Sequence, residues 1–207
     1  RLGRGVGERG TLQLNRLPGT AQEVKLGFGA LAAREWRTSL ATGMEATGER
    51  LREGAAKNPD VLHIGTHFSL DRERPELLAI SLSSVRRPGS VGVFSAQDLA
   101  TVRTGAKLVV LAGCGSHTGM GYPGLGIVGL SRGWLVSGAE NVLGTLWPVE
   151  DSAGPFFRVF YEQLAAQPYG SRAVSRALRR TQLEMLRRTD RYASPRYWAA
   201  YALLQRS

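Results

Sequence analysis

The sequence has a single cysteine, Cys114, in 207 residues. One thiol closes no intrachain disulfide and builds no cysteine-rich zinc site, which excludes a disulfide-framed secreted scaffold. No apolar run approaches the roughly 18 residues that a membrane span needs. Residues 1–10, RLGRGVGERG, are Gly/Arg-rich and polar, so they do not read as a signal peptide. Lysine is scarce as well: apart from Lys25, Lys57 and Lys107, all 27 basic residues are arginine. The first residue is Arg rather than Met, so the expectation is the C-terminal part of a longer, cytoplasmic protein.

What is present is a globular composition, with 43% hydrophobic and 21% charged residues. A chain of this length folds as one domain and buries roughly 70% of its unfolded surface. The expected organisation is a flexible lead-in over 1–10 and one domain over 11–207. The 27 basic against 17 acidic residues give a net charge of +10, which raises the question of nucleic acid or an acidic partner.

Alternation in TLQLN (11–15) predicts a half-buried strand. Thr20 and Glu23 form a capping-box pattern, and Val24, Phe28 and Leu31 then repeat at helical spacing, predicting a helix to about Trp36, although Gly27 and Gly29 weaken it. A second box, Thr42 and Glu45, predicts a helix to about Ala56 that Asn58-Pro59-Asp60 stops. Beyond it, VLHIGT (61–66), LLAISL (77–82), KLVVLAG (107–113) and NVLGTLW (141–147) predict buried strands, and RYWAAYALL (196–204) a final one. Residues 124–138, 152–167 and 171–188 predict helices. Such alternation implies βαβ units, a mostly parallel sheet and helices on both faces.

In sheets of this type ligands sit beyond the carboxyl ends of the strands. His67 falls just past VLHIGT and Cys114 just past KLVVLAG. If those strands are neighbours, a thiol and an imidazole meet at one edge within roughly 5–10 Å, the pairing of a nucleophile with its general base. The alternative is an inert core cysteine, against which Gly113 and Gly115 argue by permitting tight turns and close approach of a ligand. Two other patterns compete. His63, His67, Cys114 and His117 are metal-ligand types, but on a strand His63 and His67 are about 13 Å apart, too far for one ion. Gly119, Gly121 and Gly124 match a dinucleotide-loop pattern, yet six residues separate the strand from the first glycine and Pro123 interrupts it. No metal or cofactor is therefore expected. His63 reads as a strand imidazole satisfied by a neighbour.

From residue 16 onward the chain resembles the CHAT domain, the caspase-like peptidase unit associated with tetratricopeptide repeats. R-L-P-G-T-x-x-E (16–23), V-L-H-I-G-T-H (61–67), L-V-V-L-A-G-C (108–114), the block from Gly129 to Asp151 and Y-W-A-A-Y (197–201) carry the resemblance. It implies an α/β, caspase-like three-layer sandwich with a mostly parallel central sheet flanked by helices. It also implies a Cys114–His67 dyad that forms a thioester acyl-enzyme, with the backbone N–H groups of Cys114 and Phe68 holding the oxyanion. The family usually has glycine where Phe68 stands, and any positive φ there would strain a phenylalanine. The usual C-E-T-G is replaced by Cys114-Gly115-Ser116-His117-Thr118-Gly119.

Ser116, Trp147, Glu150 and Asp151 are candidates for the substrate pocket. Carboxylates at Glu150 and Asp151 suit Arg or Lys before the cleaved bond, although Asp151 also fits a helix N-cap and Trp147 also fits a core position. The expected partners are a protein or peptide substrate and an attached repeat or sensor domain. Six arginines, Arg172, Arg176, Arg179, Arg180, Arg187 and Arg188, lie on the 171–188 segment, whose inward stripe is Val174, Leu178, Thr181 and Met185. They are expected to face solvent or a neighbouring domain, with neither nucleic acid nor a membrane bound directly. The alternative is a catalytically silent scaffold or a basic binding module.

Overall fold

The computed structural model describes residues 17–69, 79–84, 91–113, 125–147, 149, 153–170 and 172–206. The predicted strand over 11–15 and the glycine pattern at 119–124 lie outside them.

The central sheet follows from β5 (Leu108–Ala112), whose five residues are all buried. Leu108, Val110 and Ala112 enter one core cluster, and Val109 and Leu111 enter another, as strand alternation requires when both faces are covered. Beside β5 run β1 (Val61–Gly65) and β6 (Asn141–Thr145), both parallel to it. β7 (Tyr201–Gln205) closes the order β1-β5-β6-β7, antiparallel to β6.

One face of the sheet packs on α1 (Pro18–Ala32), α5 (Gly154–Ala165) and α6 (Ala173–Leu186). Phe156, Phe157, Phe160 and Tyr161 of α5 are each at most 1% exposed and dominate that layer, since each aromatic buries 150–250 Å² at about 25 cal/mol per Å². The other face packs on α2 (Gly48–Ala56), α3 (Ala96–Ala100) and α4 (Leu125–Ser137). A second, antiparallel sheet of β2 (Phe68–Ser69), β3 (Ala79–Ser83) and β4 (Val91–Ser95) joins this layer through Phe68, Ile80 and Phe94.

Several sequence expectations need correction. The Thr20/Glu23 capping box does not form: the N-cap is Leu17, Pro18 occupies the first turn and no side chain caps it. Proline's fixed φ starts the helix earlier, so Thr20 and Glu23 are interior. The buried stripe is Thr20, Glu23, Gly27 and Leu31, while Val24 and Phe28 are half-buried. Gly27 belongs on that stripe because a Cβ there would lie 2.6 Å from the Tyr161 ring.

Thr42 opens only a 3-10 turn, Gly43–Glu45, with Ala46 leaving helical geometry. The helix starts instead where Thr47 accepts a hydrogen bond from the Arg50 amide. The stop at Asn58 holds, with φ 51°. The strand expected over 77–82 is β3, which belongs to the second sheet rather than the parallel one because β4 pairs with it from Ala79↔Ser95 to Ser83↔Val91. The last strand begins later than expected, since Pro195–Tyr197 forms a 3-10 turn.

At the carboxyl end of the β1–β5 pair the backbones nearly touch. A Cβ on Gly113 would lie 2.1 Å from the Thr66 carbonyl oxygen and 2.5 Å from the Phe68 ring. Gly113 thus makes room for the protein's own backbone, where the sequence suggested a ligand. Gly113→Ala is expected to destabilise the fold by about 3 kcal/mol through forced backbone displacement, read as a lower urea midpoint with an unchanged m-value.

Candidate active site

β1 and β5 are in register from Val61↔Leu108 to Gly65↔Ala112. The next amide, Thr66 N–H, still donates to the Ala112 carbonyl at 3.0 Å. From there the chain leaves the central sheet: the Ser81 amide donates to the His67 carbonyl at 3.0 Å, and Thr66 Oγ1 donates to the Ser81 carbonyl. Residues 66–68 therefore bridge the two sheets, and His67, half-buried, is held by its backbone at the junction.

Phe68 enters β2 and is 6% exposed. The expected strain at this position is absent: among described non-glycine residues only Glu35 and Asn58 have positive φ. Extended backbone accepts a phenylalanine as readily as any residue, and the ring packs under Gly113.

Trp147 follows the carboxyl end of β6 and is 39% exposed, next to Leu146 at 42%. It is a surface residue at the edge where the strands end, so the core alternative fails. Cys114, Ser116, His117, Glu150 and Asp151 lie outside the described residues. The N-cap position of α5 is Ala153, which makes no side-chain cap.

His63 faces the α1/α5 layer and both ring nitrogens are engaged. Nδ1 lies 2.7 Å from Tyr161 Oη and Nε2 lies 3.0 Å from Glu23 Oε1, with the side chains of His63 and Glu23 11% and 5% exposed. An ionised carboxylate can only accept, so Nε2 is the ring nitrogen that donates to Glu23, and Nδ1 pairs with the phenol. Burial, with the Glu23 charge adding to it, pushes the Tyr161 phenol well above its ordinary range. The satisfied-imidazole expectation for His63 is therefore what the structure has. From the sequence Glu23 read only as a capping-box residue and Tyr161 was not singled out; the available signal was the spacing Thr20, Glu23, Gly27, Leu31, which puts a carboxylate on the inward stripe of α1.

The sequence model of the CHAT domain matches residues 6–206. The chain belongs to the CHAT domain family. Its fold, a mostly parallel four-stranded sheet between two helical layers, is the caspase-like one. Within the curated proteins this CHAT domain is similar to tetratricopeptide repeat protein 28 of Mus musculus, 30% identical over 113 residues, and to its Homo sapiens counterpart, 28% identical over 113 residues. Each match covers 54% of this chain and 4% of the relative, so the chain spans a small fraction of their length. No helix among the described residues is long and apolar enough to cross a membrane.

The Glu23–His63–Tyr161 chain of contacts predicts unequal costs. Glu23→Ala leaves a buried Nε2–H unpaired and is expected to cost about 3 kcal/mol, and Tyr161→Phe about 1 kcal/mol. Because the folded phenol resists ionisation while the unfolded one ionises above about pH 10, stability falls as pH rises past that point, and Tyr161→Phe removes its share of the loss. Urea titrations at neutral and alkaline pH measure both effects.

Proposed function

We propose that this CHAT domain is a cysteine endopeptidase whose nucleophile is Cys114 and whose general acid–base is His67. One observation carries this reading: β1 and β5 are adjacent, parallel and in register to Gly65↔Ala112. His67 stands two residues beyond Gly65, and Cys114 two residues beyond Ala112. Equal offsets from a shared register, on strands about 4.8 Å apart, support the reading that the two residues meet at one edge of the sheet. Membership of a caspase-like family supports the same assignment.

The chemistry is acyl transfer. The Cys114 thiolate attacks the scissile carbonyl, the C–N bond breaks as His67 gives its proton to the departing amine, and a thioester remains. His67 then takes a proton from water, which hydrolyses the thioester and regenerates the thiol. The backbone N–H groups of Cys114 and Phe68 face the developing oxyanion, each such donor contributing on the order of 100-fold in rate. Trp147 supplies an apolar wall at the strand ends, with Ser116, Glu150 and Asp151 completing a pocket suited to Arg or Lys. The substrate is a protein, cleaved under control of a repeat or sensor domain attached to the folded unit of 11–207. The names of the two relatives support such a repeat.

An electrophilic peptide ketone carrying Arg at its reactive end tests the dyad. The full-length chain is expected to be labelled at Cys114, and His67→Ala to slow labelling by about 100-fold or more while the fold stays intact by circular dichroism. Labelling at the same rate in His67→Ala would overturn the assignment.

A further inference from the structure

Helix α6 carries its charge in one stripe. The buried residues Ala173, Val174, Ala177, Leu178, Thr181 and Met185 mark its inner side. At about 100° per residue, Arg172, Arg176, Arg179, Arg180 and Arg187 fall within an arc of about 100° on the opposite side, and all five are exposed. At 1.5 Å per residue the stripe runs for about 22 Å. Arg176 is tied to Gln167 at 3.0 Å, and Arg188, off the stripe, to Asp190. Among the described residues, Arg172, Arg179, Arg180 and Arg187 have no side-chain hydrogen bond or ion pair. Like charges at i,i+4 weaken a helix by a few tenths of a kcal/mol per pair, and Arg172, Arg176 and Arg180 stand at that spacing.

The stripe is not purely cationic. Arg180 and Arg187 line an open groove with Gln163, Leu183 and Glu184, where the Gln163 amide donates to Glu184 Oε2 at 3.3 Å. Leu186, three residues from Leu183 and so beside it on the helix, is 57% exposed. A phosphate backbone gains nothing from the exposed Leu186 or the half-buried Leu183 beside it, and is repelled by the Glu184 carboxylate. A protein segment uses both.

We propose that the arginine stripe of α6 docks an acidic amphipathic helix of a partner protein. Carboxylates spaced i,i+4 on that helix match Arg172, Arg176 and Arg180, with bidentate pairing open to each guanidinium, and its apolar edge covers Leu183 and Leu186.

The test uses the full chain and a fluorescein-labelled peptide of about 18 residues, long enough to hold a helix, with glutamates at i,i+4 and leucines along one edge. Polyglutamate and a single-stranded oligodeoxynucleotide of equal charge are the comparators, all at physiological salt. The leucine-bearing peptide is expected to bind best. Arg180→Glu with Arg187→Glu should weaken it at least about tenfold, and Leu186→Ser a few-fold, with melting temperatures unchanged because these side chains are exposed. Tighter binding of the oligonucleotide, or a peptide affinity indifferent to the double charge reversal, would overturn the proposal. So would equal binding of polyglutamate.

Discussion

The parallel pairing of β1 with β5 is the constraint on which the rest depends. β5 is apolar throughout, so it is stable only between two covering layers, and a strand buried on both sides must have its hydrogen bonds completed by neighbours. β1 and β6 complete them. Once β1 is fixed in register, its exit is fixed too: the Thr66 carbonyl lies so close to Gly113 that no side chain fits between them. The tight junction then hands residues 66–68 to the second sheet, where Ser81 holds the His67 backbone. Position at the strand end is thus set by main-chain contacts rather than by side chains that solvent could compete for.

Two histidines four residues apart on one segment meet different fates for the same geometric reason. His63 is paired with Val110, whose side chain belongs to the α1/α5 layer, and a buried imidazole there needs a partner at each nitrogen. Glu23 and Tyr161 supply them from two different helices. That arrangement ties α1 and α5 to β1 through the two nitrogens of one imidazole. His67 lies past the last β1–β5 pair, half-buried at the junction of the two sheets. The H-x3-H spacing thus places one imidazole in the buried layer and one at the junction of the two sheets.

Much of this was legible from sequence because the central strands are short apolar runs with no helical competitor. VLHIGT and KLVVLAG predict β1 and β5 to within a residue, and the inward stripe predicted for α6 is the observed one. What was not legible depended on partners distant in sequence. Ala-Ile-Ser-Leu-Ser (79–83) alternates as a strand with one covered face, yet nothing local shows that its partner is Val-Gly-Val-Phe-Ser (91–95), which the apolar pattern passed over. Ser-to-Asp capping at Ser95 and Asp98, where the Asp98 carboxyl is held below its usual range first by the Ser95 backbone amide and also by Arg52, was a local signal that was available. At Thr20 and Glu23 the local signal misled, because Pro18 starts the helix first and tertiary contact claims the Glu23 carboxylate.

Charge and chemistry are segregated in this molecule, and the layers explain how. The candidate dyad belongs to the carboxyl edge of the sheet, which strand direction fixes. The arginine stripe belongs to the outer side of α6, whose inner side is consumed by the core. A helix that buries one half has the other half at its disposal without cost to packing, so the surplus of arginine accumulates where it cannot disturb the site. A route between the stripe and the strand ends runs through the packing of α6 on α5 and of α5 on β1.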